Sequence, residues 1–265
     1  MTAELEVGDI RVAYAEAGAG EQAVLIHGIG QDHTAWAQQQ RELGEIATLA
    51  YDLRGHGGTT LGHADGTLAQ LGRDLVGLLE QRGPSSCVGF SLGGAVALWA
   101  AAERPDLVER VIAIATSSIV GSRAAAELTR RIERVETDGA AAVRDLLDHD
   151  TRTQLASGFG AADRVVAERI AAVRDPRGFL NALRAVRGMS DRSLHDRLAR
   201  LRRPVLVVAA EHDAVCPPRA AEIMLDALPA ARFELVPGAR HLFGYGDPGA
   251  LSRTIRDGLA ASLDG

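Results

Sequence analysis

Apolar and polar residues change period along this chain at regular intervals, and those changes mark out its elements. Alternation in Leu5–Val7 and Ile10–Glu16, split at Gly8-Asp9, predicts two strands around a turn. Ala23-Val24-Leu25-Ile26-His27 hardly alternates, which predicts a strand buried on both faces. Ile46–Tyr51, Ser86-Cys87-Val88, Val108–Ala115, Pro204–Ala209 and Arg232–Val236 continue the series. Helical spacing fills the gaps: Thr34–Leu43, then Leu68–Gln81 with Leu68, Leu71, Leu75, Leu78 and Leu79 in step, then Gly94–Ala101, Pro218–Leu228 and Ala250–Ser262. Strand and helix alternating in this way predict an α/β fold. Its sheet has eight strands, is mostly parallel, and carries helices on both faces.

The alternation stops between residues 118 and 190. That stretch has no strand-like run and four helical ones, Ala124–Glu136, Ala140–Asp148, Ala162–Arg174 and Gly178–Val186. We read residues 118–190 as a helical cap inserted between two strands, with residues 1–117 and 191–265 forming the core. The cap carries a net charge of +2 and the remainder −8. Such a basic excess usually forms a solvated helix face, and an anionic small-molecule substrate is the sharper alternative. Arg177 and Arg184, spaced to share one helical face, are the first candidates for that role.

Composition removes several kinds of function. All 29 basic residues are arginine, so neither a Schiff-base lysine nor a P-loop lysine exists. Gly28-Ile29-Gly30 follows a strand but lacks the third glycine of a dinucleotide fingerprint, and no cofactor is expected. Cys87 and Cys216 have neither metal spacing nor a disulfide framework, and the scattered histidines predict no metal site. The net charge of −6 disfavours nucleic acid, and no apolar run is long enough for a membrane span. The acidic, alternating N-terminus is unlike a signal peptide, so the expected compartment is the cytoplasm. Oligomeric state has no signature.

The chemistry gathers around Gly89-Phe90-Ser91-Leu92-Gly93, a Gly-x-Ser-x-Gly placed where a strand gives way to a helix. Such a turn pushes the serine hydroxyl clear of the backbone and aims the helix N-terminus at it. A serine hydroxyl needs a base, and the base needs an orienting acid. Asp213 follows one strand and His241 the last, so three loops at the carboxyl edge of one sheet supply Ser91, Asp213 and His241 in that order. Taken alone, Asp213 would read as a turn or capping aspartate ahead of Pro217-Pro218, and Asp150 in the cap is a poorer acid. The oxyanion donors expected are the backbone N–H groups of Leu92 and Ile29. His27 and His56 are expected to support loops, with direct catalysis the minority reading.

These motifs resemble the α/β-hydrolase superfamily over essentially the whole chain. The residues that carry the likeness are His27-Gly28-Ile29-Gly30, Asp52-Leu53-Arg54-Gly55-His56-Gly57, Gly89–Gly94, Asp213 with Pro217, and His241. Within it, Ala69–Leu75 and the compact cap are similar to 3-oxoadipate enol-lactonases and small esterases. Ala210 and the segment His241–Pro248 depart from that pattern. The resemblance implies a serine hydrolase that cleaves a small carboxylic ester or lactone through an acyl-enzyme on Ser91. Two alternatives stay open: carbon–carbon bond hydrolysis of a diketone or ring-cleavage product, and a non-hydrolytic lyase or ligand-binding protein on the same scaffold.

Overall fold

The computed structural model describes residues 2–228 and 230–261. The expected end of the last helix at Ser262, and the outermost residues of the expected core ranges, lie outside them. Eight strands form one sheet: β1 (Thr2–Val7), β2 (Ile10–Ala17), β3 (Gln22–Ile26), β4 (Ala47–Tyr51), β5 (Ser85–Phe90), β6 (Val108–Ile114), β7 (Val205–Ala210) and β8 (Arg232–Val236). Their spatial order is β1-β2-β4-β3-β5-β6-β7-β8. β1 and β2 pair antiparallel, β2 meets β4 antiparallel, and every later pairing is parallel.

The burial of each strand follows from its place. Ala23, Val24, Leu25 and Ile26 of central β3 are fully buried, as a strand covered on both faces must be. β8 at the edge leaves Phe233 and Leu235 more than two-fifths exposed, at 45% and 42%. Helices α1 (Ala37–Glu42), α2 (Leu68–Arg82) and α3 (Leu92–Glu103) complete the first half. Leu71, Leu75, Leu78 and Leu79 of α2 join Val96 and Leu98 of α3 in one hydrophobic cluster. Leu251, Ile255 and Leu259, from a helix after β8, pack with Trp36 and Leu43 in a second cluster on other strand residues such as Leu25 and Ile112. The sheet is therefore sandwiched, and the site must lie at an edge of the sheet.

Between β6 and β7 run α4 (Ser122–Asp138), α5 (Ala140–Gln154), α6 (Ala162–Ala172), α7 (Pro176–Gly188) and the single turn α8 (His195–Leu198). A small core that includes Val135, Leu147, Phe179 and Leu183 joins α4, α5 and α7, and Ile170 of α6 and Ile29 of the loop after β3 pack against it. After β7 come α9 (Pro218–Ala227), the one-turn α10 (Phe243–Gly246) and α11 (Pro248–Ala260). Among the described residues, no helix is long and apolar enough to cross a membrane.

Candidate active site

Ser91 is the one residue between β5 and α3. It sits at φ 52° and ψ −118°, a strained conformation for a residue with a Cβ. The turn closes because its flanks are glycines. A Cβ on Gly89 would stand 2.2 Å from the Gly93 carbonyl oxygen, and one on Gly93 would stand 2.2 Å from that of Ile26. The Ser91 N–H donates to the Ile114 carbonyl of β6 at 2.8 Å, which locks the turn to the sheet.

Asp213 and His241 lie on loops after β7 and β8, and those loops are hydrogen-bonded to each other. Glu211 N–H donates to Val236 O, His212 N–H to Ala239 O, and Gly238 N–H to the Glu211 carboxylate. The two side chains are thereby placed together, and the residues are 3% and 4% exposed. His241 Nδ1 donates to Asp213 Oδ2 at 2.7 Å, and Nε2 faces Ser91 Oγ at 3.1 Å. A carboxylate only accepts, so it keeps the imidazole proton on Nδ1 and leaves Nε2 as the acceptor for the serine proton. The other carboxylate oxygen, Oδ1, accepts from Val215 N–H and Cys216 N–H. Asp213 is thus a turn aspartate and the partner of His241 at once, one role per oxygen. Asp150 pairs bidentately with Arg131 instead.

The loop after β3 is gripped from several sides. His27 Nε2 accepts from Leu53 N–H at 2.9 Å, so its Nδ1 donates to the Gly28 carbonyl at 2.8 Å. In a trans peptide the N–H points opposite to the C=O. That bond therefore turns the Ile29 N–H away from His27. Gly28 N–H is taken by Gln31 Oε1, and Gly30 N–H faces His56 Nε2 at 3.4 Å. Among the described residues, the N–H groups of Ile29 and Leu92 have no acceptor, and free donors are what a developing oxyanion requires. Burial holds His27 below its ordinary value and brings His56 down to about 3, so both rings are neutral.

Arg169 of α6 was not singled out in the sequence. It is 5% exposed and donates to Ile29 O, Gly30 O and Thr151 Oγ1. The available signal was its register with Val165, Val166 and Ala172, all buried on the same helix. Arg177 and Arg184, by contrast, are exposed and paired with Asp175 and Glu136. A cleft of about 140 Å³ opens between α5 and the loops of Asp213 and His241, with His241, Arg131, His149 and Arg240 in its wall.

The fold also brings Asp32 and Asp52 to His33, a cluster that histidine spacing alone did not reveal. Its oxygens are engaged locally. Asp52 accepts from His33 N–H, the His33 ring and Gly58 N–H, while Asp32 caps Thr34. The Cys87 thiol is pushed up to about 12 by burial, and that of Cys216 is also raised by burial.

The sequence model described as "Alpha/beta hydrolase family" matches residues 23–254. A putative carbamate hydrolase, RutD, of Pseudomonas savastanoi pv. phaseolicola is 28% identical over 90% of this chain and 93% of its own. 3-Oxoadipate enol-lactonase 2 of Acinetobacter baylyi is 24% identical over 95% and 94%. The crystal structure of the enol-lactonase from Burkholderia xenovorans LB400 superposes with a TM-score of 0.87 at 23% identity, covering 98% of this chain and 100% of that one. Three mycobacterial relatives of uncharacterized function are matched over only 33% of their own length.

Proposed function

The chain belongs to the alpha/beta hydrolase family, and we propose that it is a serine hydrolase that cleaves small carboxylic esters or lactones through an acyl-enzyme. The observation that carries this reading is the unbroken line from Ser91 Oγ through His241 to Asp213. Ser91 Oγ bonds to the acyl carbon while its proton passes to His241 Nε2. Asp213 balances the imidazolium, and the carbonyl oxygen takes its charge towards the N–H groups of Ile29 and Leu92. The bond to the leaving oxygen then breaks, and His241 returns the proton to it. Water, deprotonated by the same nitrogen, attacks the acyl-enzyme, releases the acid and restores Ser91.

The helical insertion acts in this reading as a cap, and the cleft beside His241 is the way in. Arg240, which donates to the Thr153 carbonyl there, suits an acidic substituent on the substrate better than Arg177 and Arg184, which already pair with carboxylates. The test is hydrolysis of p-nitrophenyl esters from acetate to octanoate, with Ser91→Ala beside the wild type. Ser91→Ala is expected to fold normally and lose on the order of 10⁴-fold or more of turnover. Undiminished turnover in that variant would sink the mechanism. A wild type that hydrolyses diketones but no ester would redirect it to carbon–carbon cleavage.

A further inference from the structure

Arg169 is a buried guanidinium with no carboxylate within ion-pair distance among the described residues. Its donors go to two backbone carbonyls, Ile29 O at 3.1 Å and Gly30 O at 3.4 Å, and to Thr151 Oγ1 at 2.8 Å. Burying an unpaired cation is costly, and a leucine could fill the same space without that cost. What the guanidinium does that a leucine could not is hold two successive carbonyls of one loop. That loop is the one that presents the Ile29 N–H.

The contacts around it are directional. The Gly28 carbonyl, opposite the Ile29 N–H in the same peptide, is held by His27. The next two carbonyls are held by Arg169, whose helix belongs to the insertion and not to the sheet. Thr151 of α5 accepts from Arg169 and donates in turn to Leu147 O, and Leu147 packs so closely on Gly30 that a Cβ there would meet it at 2.4 Å. A second tie, Gly57 N–H to Ala172 O, joins the end of α6 to the neighbouring core loop. α5 and α6 are therefore tied to the same loop that presents the Ile29 N–H.

We propose that Arg169 is a positioning residue for the oxyanion donor, through which docking of the helical insertion sets the turnover number. The proposal rests on the serine-hydrolase reading above for its kinetic consequence, but not for its structural one. A donor displaced by a fraction of an ångström weakens its bond to the transition state more than it weakens ground-state binding. The loss should therefore fall on kcat and leave KM nearly alone.

The experiment compares wild type with Arg169→Lys, Arg169→Met and Thr151→Val on a p-nitrophenyl ester, with thermal melting as the check on folding. Lysine keeps the charge but cannot fork to two carbonyls. Expected losses in kcat are about 10-fold for Arg169→Lys and up to about 100-fold for Arg169→Met, the scale of a damaged oxyanion donor, with KM moving less than threefold. Thr151→Val, which keeps the arginine and frees one end of its fork, should lose severalfold, and it carries the test if neither arginine variant folds. A folded variant set with kcat within twofold of wild type, or with the whole loss in KM, overturns the proposal. Hydrogen exchange at the Gly28 and Gly30 amides reads the same tie without turnover: faster exchange in the folded variant supports it, and unchanged exchange refutes it. If wild type shows no ester turnover and no fluorophosphonate labelling of Ser91, the hydrolytic reading fails while the exchange arm still decides the role of Arg169.

Discussion

Ser91 keeps a backbone conformation that costs a non-glycine residue about 1–3 kcal/mol, and its neighbours are shaped to hold it there. Gly93 shows how little room they leave. Alanine at Gly93 would drive a Cβ into the Ile26 carbonyl, a backbone atom that cannot swing aside. Gly93→Ala should therefore destabilise the fold by about 1–3 kcal/mol and, on the serine-hydrolase reading proposed above, lower ester turnover, because the same shift moves the Leu92 N–H. Gly188→Ala, which meets nothing within 4 Å, is the control and should keep turnover and leave the fold no less stable, alanine being the better helix former. Urea denaturation and p-nitrophenyl ester kinetics on the two variants would show whether the contrast is real. At this scale the sequence was most readable where chemistry has a compact signature. Gly-x-Ser-x-Gly pointed to Ser91, and loop order pointed to Asp213 and His241. Arg169 carries no such signature, since an arginine on a helix is usually a solvated charge.

The helices and strands were legible to within a few residues wherever period and length cooperate. Leu68–Gln81 was expected and Leu68–Arg82 is found, because five leucines in register bury one face. Thr67 sets its beginning: the side chain accepts from Gln70 N–H at 3.1 Å and satisfies one of the free donors of the first turn. Thr67→Ala should cost about 1 kcal/mol and leave ester turnover untouched, which a urea melt and a rate measurement together would verify. The one-turn helices His195–Leu198 and Phe243–Gly246 were not foreseen. A single turn is too short to show a period and forms only where tertiary packing supports it.

Across the whole molecule, buried histidines link stability to pH. His56 folds with a value of about 3 against an ordinary 6.5, and His27 is lowered as well, both by burial. The unfolded chain therefore binds more protons than the native one between about 6.5 and 3, so stability is full above that window and falls as pH drops through it. His56 alone can account for up to about 1.4 kcal/mol per pH unit there. His33 acts in the opposite sense. Its hydrogen bond to Asp52 raises its value, so its contribution is complete below 6.5 and fades as pH rises through the folded value. The two lowered rings should dominate. Melting temperature is expected to fall steadily from pH 6.5 to pH 4, with a shallower slope in His56→Asn, and a flat profile would contradict the assignment.

What the sequence determined by itself is what depends on near neighbours along the chain. The period of each segment is set over a few residues, and so are the glycine turn around Ser91 and the order of the loops. Together they imply a covered, mostly parallel sheet. Tertiary structure alone decided the pairings between distant residues: Arg169 with a carbonyl 139 positions away, Asp213 divided between its own turn and His241, and His33 beside Asp52. The physical reason is that hydrogen bonds and burial act across space, and a side chain's partners exist only once the sheet has brought the loops together.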